Sequence, residues 1–398
     1  MRVSKKNAGQ ILPLILFVLT VSSVLMVVMF NTGQKTVDKS IATNAADAGA
    51  YSAGVWVSRN LNYLAYTNRA MVANHVAVGH LITYVSWIRY VADTVAEIHK
   101  ITRFIPYVGQ VTEAIDRAVT EYKGVTEFTA NFTVPGVDEL NRLIYASQLA
   151  AVTDLRPGVV NQVMADVVRT YDPQLDVNEP DSLRGAGSDF VPLVQAALLS
   201  QGAALAGAAT VMDPGKDSGK MHTLVSMSYA GAENWLTNRE WSRRFFFFFK
   251  LRKDASTTHT EGSDLSSWRA EDSMEFGQYR FRKGRWKWVW DTIGEGSAST
   301  GEFDGSYQGV HGYSQFNGAA WQTESGALYM DLVTLTTKSD RLTVPNRRMS
   351  LGANDTSISG FGRARVYFEK PSSGFSGHAT EHANLLNPFW KVKLVSPW

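Results

Sequence analysis

One group of residues near the C-terminus has the types and spacing of a zinc site. His378-Ala-Thr-Glu381-His382 matches H-x-x-E-H, which on a helix would place two imidazoles on one face with a glutamate between them. However, the group follows a Gly- and Ser-rich loop at 371–377, and no amphipathic helical pattern surrounds it. The sequence therefore favours a solvated loop or short turn here over a zinc-dependent hydrolase.

A second candidate for metal chemistry lies in the middle of the chain. Asp254, Ser256 and Thr258 resemble in part the D-x-S-x-S metal site of von Willebrand type A domains. That family has its aspartate directly at a strand end, whereas here the basic segment 250–253 intervenes and the last position is Thr. Because Asp and Ser side chains commonly bond to their own backbone, a polar turn is the favoured interpretation. A metal-dependent adhesion site is the alternative.

Aromatic and basic residues alternate from Tyr279 to Trp290, and this period of two predicts strands. Lys283-Gly284 is a suitable hairpin turn. Such strands bind nucleic acid if their rings stack on bases, or they hold an aromatic face in the core and a basic face in water. The net charge of only +2 favours the second interpretation, so no nucleic-acid partner is expected.

The remaining composition gives no indication of catalysis. The chain has no cysteine, which excludes disulfides, thiolate chemistry and cysteine zinc sites. It also lacks a G-x-G-x-x-G loop, a P-loop and a G-x-S-x-G elbow. We therefore expect no enzyme activity, no cofactor, and no catalytic or metal-binding residue.

The N-terminal segment predicts a membrane anchor. Ile11 to Phe30 is an uncharged, mainly apolar run long enough to cross a bilayer as a helix, and Pro13 falls in its first turn. Arg2, Lys5 and Lys6 precede it, which places the N-terminus in the cytoplasm and the rest of the chain outside. A cleavable signal peptide is the alternative. It is disfavoured because its apolar core is usually only ~7–15 residues and ends at a small-residue site.

A long helix is predicted to continue outward from this anchor, because no proline occurs between Pro13 and Pro106. Its later part has a heptad-like apolar stripe, interrupted by Asn68 and His75, which are interpreted as satisfied polar residues of the helix. The stretch from Ala42 to Gly54 consists mainly of small residues, which permit close helix–helix packing just outside the membrane.

The start of the chain combines Gly9-Gln10, the apolar run, and the box Asn44-Ala45-Ala46-Asp47-Ala48 followed by Gly49. Over about the first 60 residues this pattern resembles the N-terminal segment of the TadE/TadG-like proteins of bacterial Tad (Flp) pilus assembly systems. It implies a pilin-like or pilus-assembly protein that packs through its N-terminal helix. Leu14 is a departure from type IV pilins. If the chain were cut after Gly9, Leu14 would occupy the fifth position, which is normally a glutamate.

The whole sequence predicts an α+β protein in four parts. These are a basic tip and transmembrane anchor (1–31), a long extracytoplasmic helix (32–105), a helical region (106–244) and a β-rich domain (245–398). Helices are predicted at 137–153, 157–170, 190–212 and 221–241, and strands at 328–337, 363–369 and 389–395. The phenylalanine run 245–249 is either a buried strand or an aromatic surface patch.

These observations favour a structural component of a Tad-type pilus, either a minor pilin-like subunit or a tip or platform protein. Its partners would be other pilin-like subunits and the lipid bilayer. It would be a single-pass protein of the bacterial inner membrane with a periplasmic domain, and incorporation in a surface pilus stays open. Two alternatives stay open: a membrane-tethered, metal-dependent adhesion or hydrolase domain, and an envelope protein unrelated to pili.

Overall fold

The computed structural model describes an α+β protein built on one very long helix. The structure describes residues 11–179, 190–217, 219–231, 235–236, 238–245, 247–259, 267–324, 327–339, 357–370 and 382–396. Helix α1 covers Ile11–Thr102 without interruption. Its 92 residues correspond to a rod of about 140 Å at the α-helical rise. The expected continuation of the N-terminal helix through the outer part of the chain is thus confirmed.

Helix α2 (Val108–Asp154) runs back along the outer part of α1. The short connection 103–107 ends at Tyr107, whose φ of 65° turns the chain. Polar contacts hold the pair in register. Tyr84 bonds to Tyr122 at 2.6 Å, and Asn74 bonds to Asn141 at 2.9 Å. Because the α2 partner number rises as the α1 number falls, the two helices are antiparallel.

Three shorter helices follow: α3 (Pro157–Tyr171), α4 (Phe190–Ala206) and α5 (Lys220–Gly231). Two helix predictions were too long at their C-terminal ends. The helix predicted for 190–212 ends at Ala206, and 209–212 form a strand instead. The helix predicted for 221–241 ends at Gly231, and Trp241 already begins a strand. In both places tertiary strand pairing overrides the local helical pattern.

The strands form three antiparallel sheets. Their bounds are β1 Asp176–Val177, β2 Ala209–Met212, β3 Trp241–Phe245, β4 Phe249–His259, β5 Trp268–Arg282, β6 Arg285–Ser299, β7 Tyr313–Phe316, β8 Gln322–Glu324, β9 Ala327–Ser339, β10 Ser357–Phe368 and β11 Trp390–Leu394; a four-residue helix, α6 (Thr300–Phe303), follows β6. The proximal sheet has the strand order β1-β9-β10-β11, with β8 also paired to β9. The distal sheet has the strand order β3-β4-β5-β6, and β2 pairs with β7 in a small third sheet.

The predicted C-terminal strands correspond to β9, β10 and β11, of which β10 begins six residues earlier than predicted and β11 is one residue shorter at each end, so the β-rich character of this region is confirmed. Strands β1 and β2, which precede residue 245, pair with β9 and β7. The helical middle and the β-rich part are therefore interleaved.

Both larger sheets pack along α1, one after the other. Gly360 and Gly362 of β10 lie directly on the backbone of α1 at Ala42 and Ala46, where a Cβ on either glycine would have no room. Further out, Gly79 of α1 lies against the fully buried ring of Trp268 in the distal sheet. Helix α1 is thus the common spine of the two sheets and of their hydrophobic cores.

Candidate functional site

The first part of α1 is apolar and lies outside the folded core. None of the side chains from Ile11 to Phe30 is buried, and Leu14 in the first described turn is 64% exposed. The hydroxyls of Thr20 and Ser23 donate to backbone carbonyls one turn earlier, at 2.7 and 2.8 Å, so they need no outside partner. By length and composition the segment is able to cross a membrane. Pro13 lies in that same first turn, whereas Gly9 and Gln10 lie outside the described residues.

The small-residue box is taken up by contacts within the chain. Ala45, Ala46 and Gly49 are buried, Asp47 and Ala48 are half-buried, and Asn44 is exposed. A Cβ on Gly49 would lie 3.0 Å from Val168 of α3, and the same side of α1 meets β10. The close approach expected between this stretch and a neighbouring subunit is therefore made by α3 and β10 of the same chain. Burial also raises the pKa of Asp47.

Asn68 is a fully buried polar residue of α1 whose hydrogen bonds are complete. Its amide nitrogen donates to the carbonyls of Ser314 and Leu385 at 2.7 Å each. Its side-chain oxygen accepts from the Ser314 backbone and from Gln148. These bonds join α1 to α2, to β7 and to the segment before β11. Asn68 thus fixes the register of four parts of the fold, as buried polar residues often do.

His75, one heptad later, belongs to a buried histidine cluster. Its Nδ1 lies 2.8 Å from the hydroxyl of Tyr307 and its Nε2 lies 3.0 Å from Nε2 of His259. The ring centroid of Trp268 lies 5.2 Å from that of His75, and the ring of His222 is 5.0 Å from that of His259. The interpretation of Asn68 and His75 as satisfied helix residues is confirmed by these bonds.

Burial keeps the histidine pair uncharged. Desolvation, reinforced by His259, lowers the pKa of His75 to about 3. Desolvation, reinforced by His222, lowers the pKa of His259 to about 4. The two neutral imidazoles share one proton between their Nε2 atoms. One ring must therefore carry its proton on Nε2 and the other on Nδ1. Since His75 is 0% and His259 7% exposed, a substrate cannot reach the pair, and its geometry suits a structural role.

A buried ionic cluster attaches the distal sheet to α1. The carboxylate of Asp272 accepts from Lys253 at 2.7 Å, from Arg239 at 3.2 Å, and from the hydroxyl of Ser86 on α1 at 2.8 Å. All three charged side chains are at most 4% exposed. One carboxylate thus serves two cations, so removing it would leave two buried charges unpaired.

Among the residues considered for metal chemistry, those that the structure describes are not assembled into a metal site. Asp254, Ser256 and Thr258 lie along β4, so the predicted polar turn is wrong: they are alternate residues on one face of a strand. Asp254 is paired with Arg252 at 2.8 Å. Among the described residues no group of three or more His, Asp or Glu side chains is placed to hold a metal ion. His382 is exposed, whereas His378 and Glu381 lie outside the described residues.

The aromatic-basic segment forms the hairpin that its sequence predicts. Arg282 pairs with Arg285 across Lys283 and Gly284, which have φ values of 52° and 78°, as a tight two-residue turn requires. The predicted buried aromatic face is wrong at this end of the sheet. Phe281 is 60% exposed and Trp286 52% exposed. The rings are outside the core because Phe281 and Trp286 pair with each other on the sheet face opposite the one that packs on α1.

Sequence reasoning missed the two clusters that join α1 to the distal sheet. Asp272 is 186 residues from Ser86, and His259 is 184 residues from His75. No local spacing indicates such pairs. The only available signal was His75 itself, a titratable residue within an apolar stripe.

Comparison with protein-family models, with curated proteins and with solved structures finds no match to the chain. The resemblance to TadE/TadG-like proteins therefore stays a prediction from the first 60 residues.

Proposed function

We propose that this chain is a non-catalytic, single-pass inner-membrane component of a bacterial Tad-type pilus assembly system. The observation that carries the proposal is the continuity of α1. An unburied apolar segment passes without a break into the helix on which both sheets are packed. A rod of this kind transmits position and force between a membrane and an external domain, which is the mechanical work of an assembly subunit.

The orientation follows from the charges around the segment. Arg2, Lys5 and Lys6 precede the apolar run, and positive residues are retained on the cytoplasmic side. The N-terminus would then be cytoplasmic, and the two larger sheets on α1 would be periplasmic. The box at residues 44–48, which resembles the TadE/TadG-like pattern, would lie about 20 Å beyond the end of the apolar run.

The surface offered to other subunits would be the outer face of α2. This face is open and apolar at near-heptad spacing: Val111, Ile115, Val125, Phe132, Leu140 and Leu143 are each 46–81% exposed. Charged residues of both signs flank the stripe. A single folded domain rarely exposes so long an apolar stripe, whereas a partner helix would cover it. The buried small residues of the box would hold α1 against α3 and β10, and α2 would make the contact with other subunits.

Cysteine cross-linking tests this proposal, because the chain contains no cysteine of its own. Phe132→Cys and Leu25→Cys are expected to form cross-linked products with pilus subunits in cell membranes. Ala46→Cys, which is buried against β10, is the matched control and is expected to give none. Cross-links from Ala46→Cys alone would contradict the proposed surface.

Topology and biological role need separate measurements. A membrane-impermeant maleimide should label Arg117→Cys in intact spheroplasts but should label Lys5→Cys only after permeabilisation. Deletion of the gene should lower the number of pili. Normal piliation after deletion, with the topology as expected, would favour the alternative of an envelope protein unrelated to pili.

A further inference from the structure

The end of the distal sheet combines an unusual concentration of rings and positive charge. We define the distal tip as residues 241–245 and 247–251 of β3, β4 and their turn, together with residues 277–290 of β5, β6 and their turn. These segments contain eight Lys or Arg residues, ten aromatic residues and no Asp or Glu. Since the whole chain carries +2, the rest of the chain carries a net −6.

The two turns of the distal tip lie at the same end of the distal sheet, with the β5–β6 turn extending beyond the β3–β4 turn. The backbone N–H of Tyr279 donates to the carbonyl of Phe248 at 2.8 Å, and β4 pairs with β5 up to Phe249 and Gln278. The most exposed rings stand at these turns. Phe247 is 84% and Phe281 60% exposed, and Phe248 and Trp286 are each 52% exposed.

The basic residues lie both behind and beside the exposed rings. Arg244 lies over the ring of Trp288, with 5.5 Å between the guanidinium carbon and the ring centroid, and Lys250 lies 5.7 Å from the centroid of Trp290. The two inner tryptophans, on the sheet face opposite α1, are therefore covered by the chain's own cations. The β5–β6 turn at 282–285 contains three exposed cations of its own. The tip thus presents exposed aromatic rings and positive charge together at its two turns.

The distal tip points away from the apolar N-terminal segment. A Cβ on Gly296 of β6 would meet Ser86 and Tyr90 of α1, and one on Gly294 would meet Thr94. Moving along β6 towards its turn therefore moves towards the C-terminal end of α1. Thr94 is 64 residues beyond Phe30, which places the tip about 100 Å from the end of that segment.

We propose that the distal tip docks on the surface of a second, anionic phospholipid bilayer while α1 is anchored in the first. Aromatic rings at the protruding turns enter the interface between headgroups and acyl chains, and the cations beside and behind them meet the negatively charged headgroups. The net charges are complementary, because the tip carries +8 and no acidic residue.

Two other occupants fit the geometry less well. A platform for nucleic acid needs rings open on a sheet face, whereas Trp288 and Trp290 are covered by Arg244, Lys250 and Arg252. A second copy would bring two tips of the same charge together, which costs energy. A bilayer surface satisfies both the protruding rings and the cations.

Vesicle capture by the full chain tests the docking. The chain is held in phosphatidylcholine nanodiscs, so that its apolar segment is already occupied, and the nanodiscs are immobilised. Dye-filled vesicles containing about 30 mol % phosphatidylglycerol are then passed over them. We expect capture that exceeds that of pure phosphatidylcholine vesicles by at least about tenfold and that weakens as salt is raised. Equal capture of the two vesicle types would overturn the proposal.

Matched variants assign the capture to the tip. Phe247→Ser with Phe248→Ser should lower capture by about tenfold or more. Phe128→Ser with Tyr66→Ser, where the rings are 75% and 62% exposed but lie outside the distal tip, should leave capture unchanged. Circular dichroism confirms that both variants fold. Equal loss in the two pairs, or no loss in the first, would overturn the assignment.

The docking does not rest on a role in pilus assembly. The same variants distinguish the two proposals, because Phe247→Ser with Phe248→Ser should lower vesicle capture but should keep the cross-links made through Phe132→Cys. A chain that captures a single-stranded oligonucleotide but no anionic vesicles would overturn the lipid proposal in favour of a nucleic-acid surface.

Discussion

Acidification is expected to destabilise this protein through the His75–His259 pair. Burial lowers the pKa of His75 to about 3 and that of His259 to about 4, from an ordinary value of 6.5. In the unfolded chain both imidazoles bind a proton below pH 6.5, whereas in the folded chain they stay neutral. Their contribution to stability is therefore complete above pH 6.5 and is lost as the pH falls from 6.5 towards 4 and 3.

The size of the effect follows from the two pKa differences. At about pH 5 each imidazole is roughly 1.5 pH units below its unfolded pKa but still above its folded pKa. At about 1.36 kcal/mol per unit, each histidine then costs roughly 2 kcal/mol, and the pair costs about 4 kcal/mol. Because folded domains are stable by only about 5–15 kcal/mol, this loss is readily measured.

The assay compares urea unfolding of the full chain in detergent micelles at about pH 7.5 and about pH 5. Tryptophan fluorescence and near-ultraviolet circular dichroism follow the transition, since Trp268 packs on both imidazoles. His75→Gln removes one titrating group and keeps an amide that can bond to Tyr307. The free energy lost between the two pH values should therefore be smaller in this variant by roughly 2 kcal/mol.

A matched control separates this pair from the carboxylates that also titrate. His99→Gln, at the far end of α1 beside Thr112, leaves the cluster intact and should retain the wild-type loss. If wild type and His75→Gln lose the same free energy on acidification, the buried neutral pair is not the cause and the reasoning fails.

Three further predictions test the packing of the fold by thermal unfolding. Gly362→Val should cost more than about 2 kcal/mol, because its side chain would displace α1 at Ala46; an unchanged melting temperature would contradict the close approach. Gly136→Ala should stabilise by roughly 0.5–1 kcal/mol, since it lies inside α2 with open space around it; lower stability would reveal an unseen contact. Asp272→Asn should cost about 3–5 kcal/mol by leaving buried cations without a carboxylate, whereas Asp254→Asn, in a half-exposed pair, should cost less than about 1 kcal/mol. Equal costs in this last pair would argue against the buried ionic cluster.

Local patterns predicted the elements whose causes are local. The absence of proline from 14 to 105 was sufficient for the long helix α1. Lys283-Gly284 between alternating residues was sufficient for the β5–β6 hairpin. Helix ends were predicted less well. The segment 207–212 continues an alanine-rich helical pattern, yet 209–212 pair with β7 more than a hundred residues away. Helical propensity differs by only tenths of a kcal/mol per residue, so such distant pairing decides the outcome.

The candidate surfaces were also only partly predictable from the sequence. Small residues at 42–54 correctly indicated a close approach, but spacing alone does not say which element approaches; the structure places β10 and α3 there. The phenylalanine run was equally compatible with a core strand or a surface patch. Its described members are exposed because the turn between β3 and β4 lies beyond the reach of α1.

The sequence by itself determined the apolar segment, the uninterrupted helix that follows it and the β-rich character of the C-terminal part. Each of these depends on neighbours within a few turns of the chain. Only the tertiary structure decided the contacts between distant residues: the His75–His259 pair, the carboxylate of Asp272 between two cations, and the assembly of two hairpin turns into one basic aromatic tip. These contacts arise because two sheets pack in succession along one helix, and no periodicity in the chain records which residues meet across that interface.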